Sequence, residues 1–249
     1  MRPGIPISSF KPLMQTARDM YETFLHVRAL GCRYVQLQWI SPSVPTDTVA
    51  QALKEAGLIS VSVQDFFDSV RADREYYLRL NEQTGGRWLC VSRIPDRMKS
   101  PEGLESYMRE LEELSETANS RGQEVCLHPV AADYREIGGL CPVDEILARM
   151  PKMKLCLDLY HLYKAGFAIP AWIERYRGRI VMVHFKDEKN GRQVPAGRGD
   201  IRYDGAVRAC LRANVSYGFA EQESWDGDPF ARLGKALDWL RGELSAAER

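Results

Sequence analysis

The chain has 249 residues, and 34 Lys and Arg balance 34 Asp and Glu, so its formal net charge at pH 7 is zero. Hydrophobic residues make up 45% and charged residues 27%, the make-up of an ordinary soluble globular protein. Without a basic excess or cluster, nucleic acid and membrane surfaces are excluded as expected partners, while neutrality favours self-association and points towards a homo-oligomer.

No apolar run approaches the ~18 residues that cross a bilayer. The opening MRPGIPISSF lacks the apolar stretch and cleavage site of a signal peptide. Six cysteines stand at 32, 90, 126, 141, 156 and 210 with no CxxC pair. The expectation is a cytoplasmic protein without disulfides or a structural zinc site.

In chain order, Ile5–Ser9 reads as a first strand and Gln15–Leu30 as a helix closed by Gly31. Arg33–Ile40 is strand-like, broken by Pro42 and Pro45. A helix over Thr46–Gly57, capped by Thr46 or Asp47, follows. Leu58–Phe66 alternates at period two, as a strand does, and a helix runs from Asp68 to Gln83. Trp88–Ile94 is a fourth strand, Glu102–Arg121 a long amphipathic helix, and Glu124–His128 a fifth strand stopped by Pro129. Then come a helix over Pro142–Met150, a strand over Leu155–Asp158 and a helix over Pro170–Tyr176. The series closes with strand Ile180–His184, helix Tyr203–Ala213, strand Phe219–Glu223 and helix Pro229–Leu244. Eight strands alternating with eight helices in this length predict one (β/α)8 barrel domain over residues 1–249. No GxGxxG follows any strand, which argues against a dinucleotide-binding open sheet.

Polar groups concentrate where these strands end, which in such a barrel is one mouth. Side chains alternate along a strand, so Cys156 shares a face with Asp158, and Met182 with His184 and Lys186. Taken alone, Asp158 is as good a cap for the next helix as a ligand. Glu221 and Glu223 also share a face, and His128 and His161 lie at or just past strand ends. Imidazole and carboxylate converging in one pocket suit a divalent ion such as manganese or zinc. Gln36, Gln38, Gln64 and Trp39, near other strand ends, are candidates for hydroxyl recognition and ring stacking.

The runs LCLDLYHLYKAG, VHFKD, PAGRGDIRY and AEQESWDGDP resemble the xylose isomerase-like TIM-barrel superfamily of sugar isomerases, epimerases and dehydratases. The resemblance covers mainly residues 120–230. It implies that Asp158, His184 and Glu221 bind a divalent ion (Mn, Mg, Co or Zn). It implies also that His161 and Lys186 serve the substrate or its surroundings, and that the Gly197–Gly199 loop with Arg198 folds over it. The family usually adds a ligand Glu on strand five, where this chain reads EVCLHPVAADY. Cys126 stands at the inward position, followed by His128 and Asp133, and the His-Pro pair resembles the inosose and dehydroshikimate dehydratase branches. The fourth ligand is then His128, Asp133, the Cys126 thiolate or water, with His128 or Asp133 preferred because thiolate suits softer metals.

The expected function is proton abstraction α to the carbonyl of a ketose, inosose or keto-sugar. His128, Glu221, Glu223 and Lys186 are the catalytic candidates, Gln64, His161, Arg198 and Trp39 the substrate-binding ones, and Asp158, His184, Glu221 and Asp133 the metal ligands. Dehydration of a keto-polyol and a non-catalytic sugar-binding barrel are the competing expectations. A multi-zinc apurinic endonuclease is disfavoured by four histidines and zero net charge.

Overall fold

A computed structural model describes residues 1–203, 205–224 and 226–247. Strands β1 (Arg2–Pro6), β2 (Tyr34–Gln38), β3 (Ile59–Phe66), β4 (Trp88–Ser92), β5 (Glu124–His128), β6 (Lys154–Asp158) and β7 (Ile180–Phe185) run parallel. After a hairpin of β8 (Asp187–Lys189) and β9 (Arg192–Val194), β10 (Tyr217–Ala220) completes the set. β10 pairs with both β7 and β1, so the eight long-range strands close into a barrel. Its helices are α1 (Ala17–Ala29), α2 (Thr46–Ala56), α3 (Phe67–Ala72), α4 (Arg74–Gln83), α5 (Pro101–Ser120), α6 (Pro142–Arg149), α7 (Leu159–Lys164), α8 (Ile169–Arg175), α9 (Ala206–Arg212) and α10 (Pro229–Ala247). No helix among the described residues is long and apolar enough to cross a membrane.

Period-two alternation divides the core in two. Val35, Leu37, Leu155, Leu157, Val183 and Phe185 point outward and bury against the helices. Val61, Trp88, Cys90, Cys126, Cys156, Met182 and Phe219 fill the barrel interior as a separate cluster. Each side chain one step further along the inward rows opens on the C-terminal mouth, which is where Asp158 and His184 sit opposite each other on β6 and β7. All six cysteines are free thiols.

Several boundaries differ from the sequence reading, each for a local reason. The first strand is Arg2–Pro6, not Ile5–Ser9, and a 3-10 turn over Ile7–Leu13 carries Ser8 and Ser9 into the interior. The helix expected over Asp68–Gln83 is broken at Asp73, whose backbone is non-helical and whose side chain caps α4 by accepting from the Tyr76 amide. Helix α2 starts at Thr46 itself, preceded by Pro45, and no side chain caps it. The last strand ends at Ala220, so Glu221 and Glu223 stand on the loop beyond it. Asp204, within the helix expected over Tyr203–Ala213, and Trp225 lie outside the described residues.

The hairpin was missed, although its signal is plain. Asn190 and Gly191 have φ of 52° and 73°, the positive values a two-residue hairpin turn needs and Asn-Gly supplies. Asp187, at its start, gathers the following loop: its carboxylate accepts from the amides of Gly197 (3.1 Å), Gly199 (2.8 Å) and Ile201 (3.1 Å). A Cβ on Gly199 would collide with the Asp187 carboxylate and the Glu188 carbonyl. Gly199→Ala is therefore expected to cost about 1–3 kcal/mol of stability. The exposed Arg198→Ala next to it should change stability by under about 0.5 kcal/mol. Thermal melts of the two variants check this, and equal melting temperatures would refute the anchoring role.

Candidate active site

Asp158 does two things at once. Its Oδ1 caps α7 by accepting from the amides of Tyr160 (2.9 Å) and His161 (3.1 Å). Its Oδ2, fully buried, is reached by no amide or hydroxyl and faces the barrel mouth. Glu221 is arranged in the same way. Ser8 Oγ donates to its Oε1 at 2.5 Å, and no amide or hydroxyl reaches the buried Oε2. Between these two oxygens lies His184, with Nδ1 2.9 Å from Glu221 Oε2 and 3.9 Å from Asp158 Oδ2.

The other ring nitrogen of His184 fixes its orientation. Nε2 lies 2.7 Å from Gln36 Oε1 and so carries the proton donated there, which aims the Nδ1 side at the two carboxylates. Gln36 is held in turn by Gln38, which donates to its Oε1 at 2.9 Å, and by Gln64, which accepts from its Nε2 at 3.2 Å. A partner of this kind raises ligand basicity and fixes the tautomer. Gln36→Leu is expected to weaken divalent-metal affinity roughly 10- to 100-fold. Titration of the metal-free variant with manganese, followed calorimetrically, checks this; an unchanged Kd would remove Gln36 from the site.

Lys186 completes the charge balance. Its Nζ lies 3.1 Å from Asp158 Oδ2, 3.3 Å from Glu221 Oε2 and 3.0 Å from Glu223 Oε2. Burial acts to raise the Asp158 and Glu221 carboxyls, but Lys186 and the surrounding imidazoles outweigh it, holding Asp158 well down and Glu221 at about 2. The same carboxylates overcome the burial of Lys186 and raise it, so it is a permanent ammonium. His184 is raised against its burial, chiefly by Glu221.

His128, at the end of β5, is the group that strand five delivers. Its Nε2 is 3.3 Å from His184 Nδ1 and 3.8 Å from Asp158 Oδ2, and its Nδ1 meets Ser92 Oγ at 3.0 Å. Burial, and then the His184 charge, lower it to about 3, so it is a neutral imidazole at working pH. Its neutrality suits a ligand better than a proton acceptor.

The three donors Asp158, His184 and Glu221 lie within 4.8 Å of one another. Two buried anionic oxygens that no backbone amide or hydroxyl reaches, beside an imidazole nitrogen oriented from behind, form a donor set that fits a divalent cation. His128 is the strand-five group beside this set, with Nε2 3.3 Å from His184 Nδ1 and 3.8 Å from Asp158 Oδ2. Asp133, expected as a ligand, is not brought to this group. It lies in the 3-10 turn after β5, where Oδ2 accepts from the Val130 amide at 2.9 Å and Oδ1 sits 3.3 Å from Lys99 Nζ. Cys126 points into the barrel interior, one layer deeper.

The remaining candidates divide. His161 Nε2 is 3.8 Å from Asp158 Oδ2 and partly exposed, so it lines the mouth. Glu223 is the one acid of the group with an open side, 43% exposed against 4% for Lys186. Trp39 takes the left-handed backbone conformation (φ 59°) just beyond β2. Its ring meets Phe66 edge-on at 4.8 Å and carries Lys11 Nζ 4.2 Å from its centroid. Gln64 serves the Gln36 chain, and Arg198 is exposed and makes no polar contact with the carboxylate–imidazole group. Two residues went unnoticed in the sequence. Ser8 gave no signal because its strand was placed too late. Gln193 of β9, whose Oε1 accepts from the Glu223 and Ser224 amides at 2.8 and 3.1 Å, sat in the missed hairpin.

The family model described as xylose isomerase-like TIM barrel matches residues 24–243. The chain belongs to this family. Among solved structures of the xylose isomerase-like fold, a sugar phosphate isomerase/epimerase from Parabacteroides distasonis superposes with a TM-score of 0.78 at 14% identity, covering 96% of this chain and 93% of that one. The 3-keto-D-glucoside 4-epimerase of E. coli gives 0.76 at 20% identity, with 97% and 99% coverage. A probable 3-DHS dehydratase from Bacillus anthracis gives 0.74 at 16%, with 97% and 99%. At these identities the likeness is one of fold. No curated protein matches the chain significantly.

Proposed function

We propose that the protein is a divalent-metal-dependent enzyme of sugar isomerase/epimerase type, acting on a ketose, inosose or keto-sugar by removing the proton α to its carbonyl. The observation that carries this reading is the pair of buried carboxylate oxygens, Asp158 Oδ2 and Glu221 Oε2, which no backbone amide or hydroxyl reaches and which converge on His184 Nδ1 and Lys186 Nζ. Asp158, His184 and Glu221, with His128 as fourth donor, would hold the ion. When bound, it supplies Lewis-acid polarisation of the substrate carbonyl.

The chain's own residues do the rest. Lys186, held as an ammonium, stabilises negative charge on the substrate oxygen as the α proton leaves. Glu223 is the proton carrier: its carboxyl group lies 3.0 Å from Lys186 Nζ and is open to the mouth. His161 and the Trp39 ring bind and orient the sugar, and Ser8 keeps Glu221 from turning away.

A site with a carboxylate on each face of the substrate can epimerise, taking a proton from one side and returning it to the other. Here the strand-five position is a neutral imidazole, so one face alone has a carboxylate base. One-face chemistry returns the proton to the neighbouring carbon, an isomerisation, or expels a β-hydroxyl. His128 is thus the specific observation favouring dehydration as the second reading.

The test is a panel of keto-sugars and inososes supplied with manganese in deuterium oxide. Deuterium entering the α carbon without enone absorbance identifies the isomerase, and enone formation the dehydratase. A purified protein that takes up no divalent metal and exchanges no α proton would refute both.

A further inference from the structure

Three thiols, Cys90, Cys126 and Cys156, lie fully buried one layer below the mouth. Cys156 is two residues before Asp158 on the same face of β6, and its Sγ is 3.2 Å from His184 Nε2. His128, Cys156 and His184 each offer one ligand atom within 4.8 Å of the other two. A zinc-type ion bound about 2.3 Å from sulfur and about 2.0 Å from nitrogen in tetrahedral geometry holds its S and N ligands about 3.5 Å apart. The Cys156–His184 separation is already close to that. The upper set brings two hard carboxylate oxygens, whereas this lower set is one sulfur and two imidazoles, all buried. Such a set selects soft and borderline cations.

We propose that His128, Cys156 and His184 form a second cation site, specific for thiophilic ions such as cadmium, zinc or copper(I), which shares His184 with the carboxylate site above it. Binding there releases the Cys156 proton to solvent, so the sulfur coordinates as thiolate. It also engages the Nε2 side of His184, the side that otherwise donates to Gln36, while a hard ion engages Nδ1. The ring proton cannot be on both nitrogens' terms at once, and His128 is wanted by both ions. Occupation of the lower site therefore displaces manganese or magnesium from the upper one. The partly exposed His161 beside Asp158 marks the way in from the mouth. The proposal rests on where these side chains stand and not on the reaction assigned above.

Cadmium alone, titrated into metal-free full-length protein, provides the test. The expected result is a thiolate-to-cadmium charge-transfer band in the ultraviolet that saturates at one equivalent. Cys156→Ser and Cys156→Ala should abolish it, and His128→Gln, which keeps the thiol, should weaken cadmium binding at least tenfold. Asp158→Asn should leave the band in place. Cadmium-loaded wild type should also fail to take up manganese, read from the spectrum of free manganese by electron paramagnetic resonance. No band in folded wild type would overturn the proposal. So would a band that survives loss of Cys156, or manganese and cadmium bound together.

Discussion

Asp158→Ala is expected to lower turnover by about three orders of magnitude, the scale on which removal of a directed electrostatic group is felt. It should also cost about 1 kcal/mol of stability, because the α7 amides of Tyr160 and His161 lose their acceptor. Asp158→Asn separates the two effects. An asparagine oxygen caps a helix as well as an aspartate does, so stability should stay within about 0.5 kcal/mol of wild type through the cap. The carboxylate charge facing Lys186 and His184 is nevertheless gone, and metal uptake with it. Parallel denaturant unfolding and metal analysis of the two variants decide the matter. If Asp158→Asn binds manganese with wild-type affinity, Asp158 is a cap and nothing more.

Lys186→Met should be the variant with the largest effect on stability. Wild type holds two buried carboxylate oxygens around one ammonium. Removing the ammonium strands both anions, and breaking a buried pair in this way costs about 3–5 kcal/mol. A divalent cation can supply the missing charge. Manganese at saturating concentration should therefore recover most of the lost stability in Lys186→Met, and stabilise wild type much less. Thermal melts with and without manganese give the answer. A variant that melts like wild type without metal would mean that the carboxylates are not balanced by Lys186, and one that metal fails to rescue would mean that they do not hold the ion. Turnover should stay low even when the fold is rescued, because charge on the substrate oxygen then lacks its ammonium.

The parts of the barrel that could be read from the chain are those governed by short-range periodicity. Asp158 and His184 were legible because strand alternation ties each to an inward neighbour, Cys156 or Met182, while their grouping with Glu221 came from the resemblance of the surrounding runs to a known family. Of the two roles weighed for Asp158, the cap belongs to Oδ1, and the proposed ligand role would fall to the other oxygen of the same carboxylate. What alternation could not supply was reach. His128 ends β5 and Asp133 follows it closely, and only the path of the 3-10 turn, which swings Asp133 round to Lys99, separates them. Ser8 was hidden because Pro3 and Pro6 blurred where the first strand begins. The pairing of Gln36 with His184, 148 positions apart in sequence, exists only once the barrel closes.

The divided carboxylate of Asp158 has a further consequence. Its Oδ1 is committed to two backbone amides, so the side chain cannot swing to follow an ion without tugging on the first turn of α7. Amide protons of Tyr160 and His161 thereby become built-in reporters. Their chemical shifts and exchange rates should register each change of charge at Oδ2, letting nuclear magnetic resonance watch the site fill without any probe being attached to it.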